Sequence, residues 1–133
     1  MYQKLDLPEK WRWFQEARYG MFIHWGPYAA IGRGEQVLFR DHMDPVQYEK
    51  AACRWNPREF DAKRLARIAR EAGMKYACLT TRHHDGYCLW DSDLTDYTSM
   101  KQAPGRDFVR EYADAFRAEG LRVGLYYSWL DWR

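Results

Sequence analysis

Three short groups of residues are the best candidates for chemistry in this chain of 133 residues: His24-Trp25, His83-His84-Asp85 and Tyr126-Tyr127-Ser128. Each closes an apolar run. A neutral imidazole offers one donor and one acceptor, which suits a hydroxyl that both gives and takes a hydrogen bond. Tyrosine adds a phenol and a ring face. Together these groups fit a ring rich in hydroxyls, and such a site rejects analogues that leave its buried polar groups unpaired. Each group also has a structural reading: His24 as a satisfied strand-end histidine, and Tyr126 and Tyr127 as core. The pair His83-His84 before Asp85-Gly86 favours a site. Neighbours on a regular strand face opposite sides, so one ring is expected to look inward and the other toward a loop.

Other chemistries have less support. Histidine ligands from one strand usually come as His-x-His, whereas these two are adjacent. A cluster of His24, His83 and Asp85 could take zinc, but no metal and no cofactor are expected. Ser92, Ser99 and Ser128 sit in no Gly-x-Ser-x-Gly turn. Cys88, between Tyr87 and Leu89, reads as packed rather than reactive.

These groups need strands to carry them. Residues 19–26 read as a buried strand, because continuous rather than alternating apolarity suits a parallel strand covered on both faces. A short helix precedes it from Trp11 to Ala17. Pro27 to His42 has no period and reads as a long loop, of the length that is usually functional or mobile. Asp44-Pro45 starts a helix to about Cys53, with proline at its first position, and Asn56-Pro57 ends it.

Two similar units come next. Asp61 caps a helix with Leu65, Ile68, Ala69 and Ala72 on its inner face, Gly73 stops it, and residues 74–81 form a strand. Asp107 caps a second helix with Phe108, Tyr112, Ala115 and Phe116 inward, Gly120 stops it, and residues 121–127 form the next strand. Helix-strand alternation points to a parallel α/β sheet, either a barrel or an open doubly wound sheet. No glycine-rich phosphate fingerprint follows a strand, which disfavours a nucleotide-binding open sheet. In a barrel, functional side chains gather at the C-terminal ends of the strands, where neighbours about 4.8 Å apart could grip one small ring.

Composition sets the outer bounds. Hydrophobic residues make up 47% and charged residues 30%, with a net charge of +2, as in a globular domain. Basic and acidic residues are interspersed, so no nucleic-acid partner is expected. No apolar stretch of about 18 residues suggests a membrane span. Residues Met1 to Asp6 lack the apolar centre of a secretory leader, and Cys53, Cys78 and Cys88 show no paired spacing. A reducing cytoplasm is the expected compartment. Aromatics reach 17%, with seven Trp and ten Tyr, which fits either a heavily aromatic core or a carbohydrate site with stacking platforms.

Four motifs together resemble the α-L-fucosidases of glycoside hydrolase family 29. They are residues 19–26 (Tyr-Gly-Met-Phe-Ile-His-Trp-Gly), residues 79–90 (Leu-Thr-Thr-Arg-His-His-Asp-Gly-Tyr-Cys-Leu-Trp), Gly105-Arg106-Asp107, and Gly124-Leu125-Tyr126-Tyr127-Ser128. The resemblance runs from about Trp11 to Trp132. It implies that residues 1–133 form the first strands and helices of a (β/α)8 TIM-type barrel, from an enzyme that removes terminal α-linked L-fucose with retention. Carried over residue by residue, His24, His83, His84 and Tyr126 would bind the fucose hydroxyls. Glu35 and Trp90 are weaker transfers. The implied partner is a fucosylated glycan or small fucoside.

Two departures matter. Gln36 stands where the family's Gly-Glu-Trp loop has its tryptophan. The family nucleophile and acid/base lie on later strands, and none of Asp85, Asp91 or Asp131 matches them, so no catalytic residue is assigned. A retaining glycosidase needs two carboxyl groups about 5–5.5 Å apart. The expectation is therefore a truncated enzyme, inactive alone, with an exposed strand edge prone to self-association. The alternatives are a non-catalytic fucose-binding fragment, or pseudoenzyme, and a metal-dependent barrel hydrolase.

Overall fold

The computed structural model describes residues 8–133; Met1 to Asp6, on which the expected absence of a leader rests, lie outside the described residues. Two helix-to-strand units repeat one local logic. The Asp61 carboxylate accepts the Arg64 amide at 2.9 Å and opens α5 (Ala62–Glu71). The Asp107 carboxylate accepts the Arg110 amide at 2.8 Å and opens α6 (Phe108–Ala118). Each carboxylate satisfies an amide that the first turn leaves without a partner. The helices end at Gly73 and Gly120, whose φ values of 81° and 73° favour glycine. From there the chain turns into β2 (Tyr76–Arg82) and β3 (Arg122–Tyr127).

With β1 (Gly20–Ile23) these make a three-stranded parallel sheet in the order β1-β2-β3. Gly20 pairs with Tyr76 and Tyr76 with Arg122, so the three strands start level. The first helix, α1 (Glu9–Ala17), closes the end where the strands begin. Its Trp13 and Phe14 rings meet Tyr76 at 6.0 and 5.2 Å, and the Arg122 guanidinium lies 4.5 Å from the Trp13 ring.

The core fills the space between the sheet and the helices. On α6 the predicted inward residues Phe108, Tyr112, Ala115 and Phe116 are all buried. On α5 the buried stripe is Ala62, Ala66 and Ala69, while Ile68 is 45% exposed, so the expected inner face is rotated. Those small side chains let α6 pack closely against α5. Beneath the strand ends an aromatic box gathers Trp25, Trp55, Phe60 and Phe108, with Trp25 stacked on Phe60 at 4.4 Å. Arg106 staples it from outside. The guanidinium makes a two-pronged pair with Glu111 at 2.9 and 2.6 Å and donates to the Pro57 and Phe60 carbonyls.

Two other expectations change. The stretch from Pro27 to His42 is not one irregular loop, since it holds the single-turn helices α2 (Tyr28–Ile31) and α3 (Val37–Arg40). One turn is too short to show a period in sequence. Strand β1 is not covered on both faces, because Phe22 is 56% exposed. It is an outer strand, paired on one side only among the described residues. The helix α4 (Pro45–Arg54) forms as expected, with the Asp44 carboxylate accepting the Val46 amide at 2.7 Å and Pro45 in the first turn.

Candidate functional site

Two adjacent threonines fix where the strand ends point. Thr80 faces β1: its hydroxyl lies 3.2 Å from the Ile23 carbonyl and 3.2 Å from the Trp25 amide, so it clamps the backbone on both sides of His24. It also meets the buried Tyr28 hydroxyl at 3.1 Å. Thr81 faces β3 and donates to the Tyr126 carbonyl at 2.8 Å. The register between β2 and β3 shifts here, with Thr80 opposite Tyr126 and Arg82 opposite Tyr127. Thr81 is the extra residue, and such a bulge re-aims the side chains beyond it.

The histidine pair comes directly after this bulge. His83 is 5% exposed and lies at the centre of a ring cluster. His24 is 5.6 Å away, Tyr126 is 5.6 Å away and nearly parallel, and Tyr28 is 5.8 Å away edge-on. His24 and Tyr126 also approach each other at 6.3 Å. The three strand tips therefore bring His24, His83 and Tyr126 together. Strict alternation would turn His84 away from His83, but the two rings are only 4.3 Å apart. The strand has ended at Arg82, so alternation no longer applies. His84 leans instead on Trp132 at 4.4 Å and on Ser128.

Electrostatics separate the members of this cluster. Burial, then the neighbouring His84 and His24, pushes His83 down to about 4, so its ring is neutral near pH 7. Its Nδ1 is buried with no hydrogen-bond partner. Burial also pushes His84 down. Glu35 is half-buried. Its carboxyl is held below the usual range, first by its own backbone N–H and further by the field of His24 and His83. Glu35 thus belongs to the electrical surroundings of the cluster. Trp90 does not join the rings: it lies 6.1 Å from Tyr127, which points to the opposite face of β3 from Tyr126.

Asp85 and Ser128 stand in the candidate motifs, but the partners that hold them give no separate signal in sequence. Asp85 is 2% exposed, and the Tyr48 hydroxyl of α4 donates to its carboxylate at 2.5 Å. Burial raises Asp85 to about 6. Arg82 donates to the Ser128 and Leu130 carbonyls at 2.7 and 3.1 Å and to the Asp131 carboxylate at 2.7 Å. The Trp132 amide donates to the His84 carbonyl at 2.8 Å. Arg82 and the segment 128–132 thereby form a clasp over His84. These partners lie 37 to 49 positions apart, so no local spacing announces them. Asp-Gly after two histidines is the one sequence hint of a braced turn.

Among the described residues, no three His, Cys, Asp or Glu side chains converge in a group that could hold a metal ion. No helix among them is long and apolar enough to cross a membrane.

The sequence model of a family described as alpha-L-fucosidase matches residues 2–133. Human plasma alpha-L-fucosidase is 31% identical over 98% of this chain, which covers 32% of that protein. The solved structure of alpha-L-fucosidase isoenzyme 1 from Paenibacillus thiaminolyticus superposes with a TM-score of 0.90 at 54% identity, covering 94% of this chain and 30% of that one. Alpha-L-fucosidase AlfC from Lactobacillus casei, solved with alpha-L-fucose product, gives 0.87 at 36% identity, covering 95% and 42%. The chain spans about a third of the length of the curated relatives it matches.

Proposed function

The chain belongs to the α-L-fucosidase family, and on that premise we propose that its strand-end cluster is the hydroxyl-binding wall of a fucose pocket in a retaining glycoside hydrolase. Residues 1–133 then supply the first strands and helices of a (β/α)8 barrel catalytic domain. The parallel order β1-β2-β3 with level strand starts supports that architecture.

One observation carries the reading. A buried, neutral histidine sits among His24 and Tyr126 at the C-terminal ends of three parallel strands. Barrel enzymes build their sites at this end. An imidazole kept neutral can both give and accept, which is what a sugar hydroxyl requires. In this role His24, His83, His84 and Tyr126 position the sugar and tighten on it as charge develops at the anomeric carbon. Glu35 adds a negative charge beside them. The proposed reaction needs no cofactor or metal.

The reaction itself needs a nucleophilic carboxylate and a second carboxyl that protonates the leaving oxygen and then activates water. Among the described residues, the strand-end carboxylates Asp85 and Asp131 are already engaged by Tyr48 and Arg82. That supports a division in which this part of the barrel binds and another part reacts. Cys53, Cys78 and Cys88 are free, which supports a reducing, cytoplasmic compartment. The outer edges of β1 and β3, with Phe22 and Leu125 each 56% exposed, are where further strands or a second copy would pair.

Calorimetric titration with L-fucose tests the binding role. Saturable heat that His83→Ala abolishes is expected, whereas no heat from well-folded protein would remove the reading. Assayed with an aryl α-L-fucoside, the 133-residue chain is expected to give negligible turnover.

A further inference from the structure

Ser128 has two acceptors within reach of its single proton, and one of them is much nearer. Its Oγ lies 2.5 Å from His84 Nδ1. The Leu130 amide donates to the same Oγ at 3.1 Å, occupying one lone pair. The only other acceptor in view for the Ser128 proton, among the described residues, is the Leu130 carbonyl at 3.3 Å. That is long for an O–H···O bond, which ranges over about 2.5–3.0 Å, and that carbonyl already accepts Arg82 Nη1 at 3.1 Å.

We propose that Ser128 is a positioning residue that fixes the tautomer of His84: its hydroxyl donates to Nδ1, so Nε2 carries the ring proton and is left as a donor. The surroundings hold the arrangement in place. Arg82 binds the Ser128 and Leu130 carbonyls and the Asp131 carboxylate. The Trp132 amide and ring hold the His84 carbonyl and imidazole. Among the described residues, His84 Nε2 has no protein partner and is not among the buried polar atoms left without one. It is therefore open to a ligand.

The consequence is a rule of recognition. A neutral histidine with an uncommitted tautomer can face either a donor or an acceptor. His84 with Nδ1 already occupied offers only N–H, so the atom opposite must be an oxygen lone pair. A ligand with a protonated amine at that point would meet a donor with a donor and be rejected. This last step rests on the fucose-pocket reading, whereas the tautomer assignment stands without it.

Long-range proton–nitrogen NMR of the histidine side chains tests the assignment. The sequence has only four histidines, so single His→Gln variants assign them. The expected spectrum shows His84 with an unprotonated Nδ1 and a protonated Nε2. In Ser128→Ala the ring should become a tautomer mixture, with L-fucose binding weakened about five- to tenfold through loss of one organising hydrogen bond. Ser128→Thr should restore both. A protonated Nδ1 in the unaltered protein, or an unchanged His84 pattern in Ser128→Ala, would overturn the proposal. If Ser128→Ala does not fold, the unaltered protein's spectrum decides the matter alone. A correct tautomer with no fucose response would count against the pocket, not against the role of Ser128.

Discussion

His83 and Tyr126 lie ring on ring, with centroids 5.6 Å apart and planes inclined by 21°. Tyr126 lies on β3 and His83 directly follows β2, and the Thr81 hydroxyl ties the Tyr126 carbonyl to β2 just before His83. The stack therefore depends on a backbone clamp as well as on the rings. Aromatic pairs contribute about 0.5–1.5 kcal/mol beyond their burial. Thr81→Val keeps the shape at that position and removes the hydroxyl. It is expected to lower unfolding free energy by about 1 kcal/mol in urea melts and to weaken fucose binding, while Thr81→Ser keeps both close to the original.

Asp85 and Tyr48 form the second lock. Tyr48→Phe removes only a hydroxyl but leaves a buried carboxyl without its short donor. The expected cost is about 1–3 kcal/mol by denaturant titration. Asp85→Asn, which preserves an acceptor for the tyrosine, should cost less than Asp85→Ala. Equal losses for the two would mean that the hydrogen bond does not carry the effect.

The two buried titrating groups pull stability in opposite directions with pH. His83 is lowered from 6.5 to about 4 in the folded chain, so between those values the unfolded state binds more protons and stability falls as pH falls. Asp85 is raised from 3.8 to about 6, so between those values the folded state binds more protons and stability falls as pH rises. Across the shared part of these windows the slopes oppose each other. Melts of Asp85→Asn should therefore gain stability steeply as pH rises through it. Melts of His83→Gln should lose it. Parallel profiles in the two variants would contradict the assignment of these groups.

Gly86 carries the turn after the histidine pair. Its φ is 74°, and a Cβ there would stand 2.7–2.9 Å from the Asp131 carboxylate. Gly86→Ala should displace Asp131 from Arg82 and loosen the clasp over His84. A loss of about 1–3 kcal/mol is expected from backbone strain alone, with His84 resonances shifted and His42 resonances unchanged.

The repeated units can be read in sequence because their signals are local. Asp61 and Asp107 sit one residue ahead of their helices, Gly73 and Gly120 just after, and the apolar spacing of Phe108, Tyr112, Ala115 and Phe116 marks a face. The meeting of His24, His83 and Tyr126 at the strand ends is a consequence of parallel order. The exposure of β1 is not legible in the same way, because an apolar run records the surface that a strand was selected to cover, and Phe22 stays 56% exposed with only the His24 and Tyr126 rings against it among the described residues. The contact between His83 and His84 is hidden because β2 ends at Arg82, and strand alternation no longer governs the two residues after it. Trp90 shares a motif with the histidines but stands beside Tyr127 rather than with them. The heavy aromatic content divides between the core, with Trp25, Trp55, Phe60 and Phe108, and the strand-end cluster, with Tyr126.

The most direct test tracks the four histidine side chains by NMR while L-fucose is added. His24, His83 and His84 should move together along one saturating curve, and His42, which lies in the connection between α3 and α4, should stay still. No movement in the three strand-end histidines of folded protein, or movement at His42 alone, would contradict the fucose pocket.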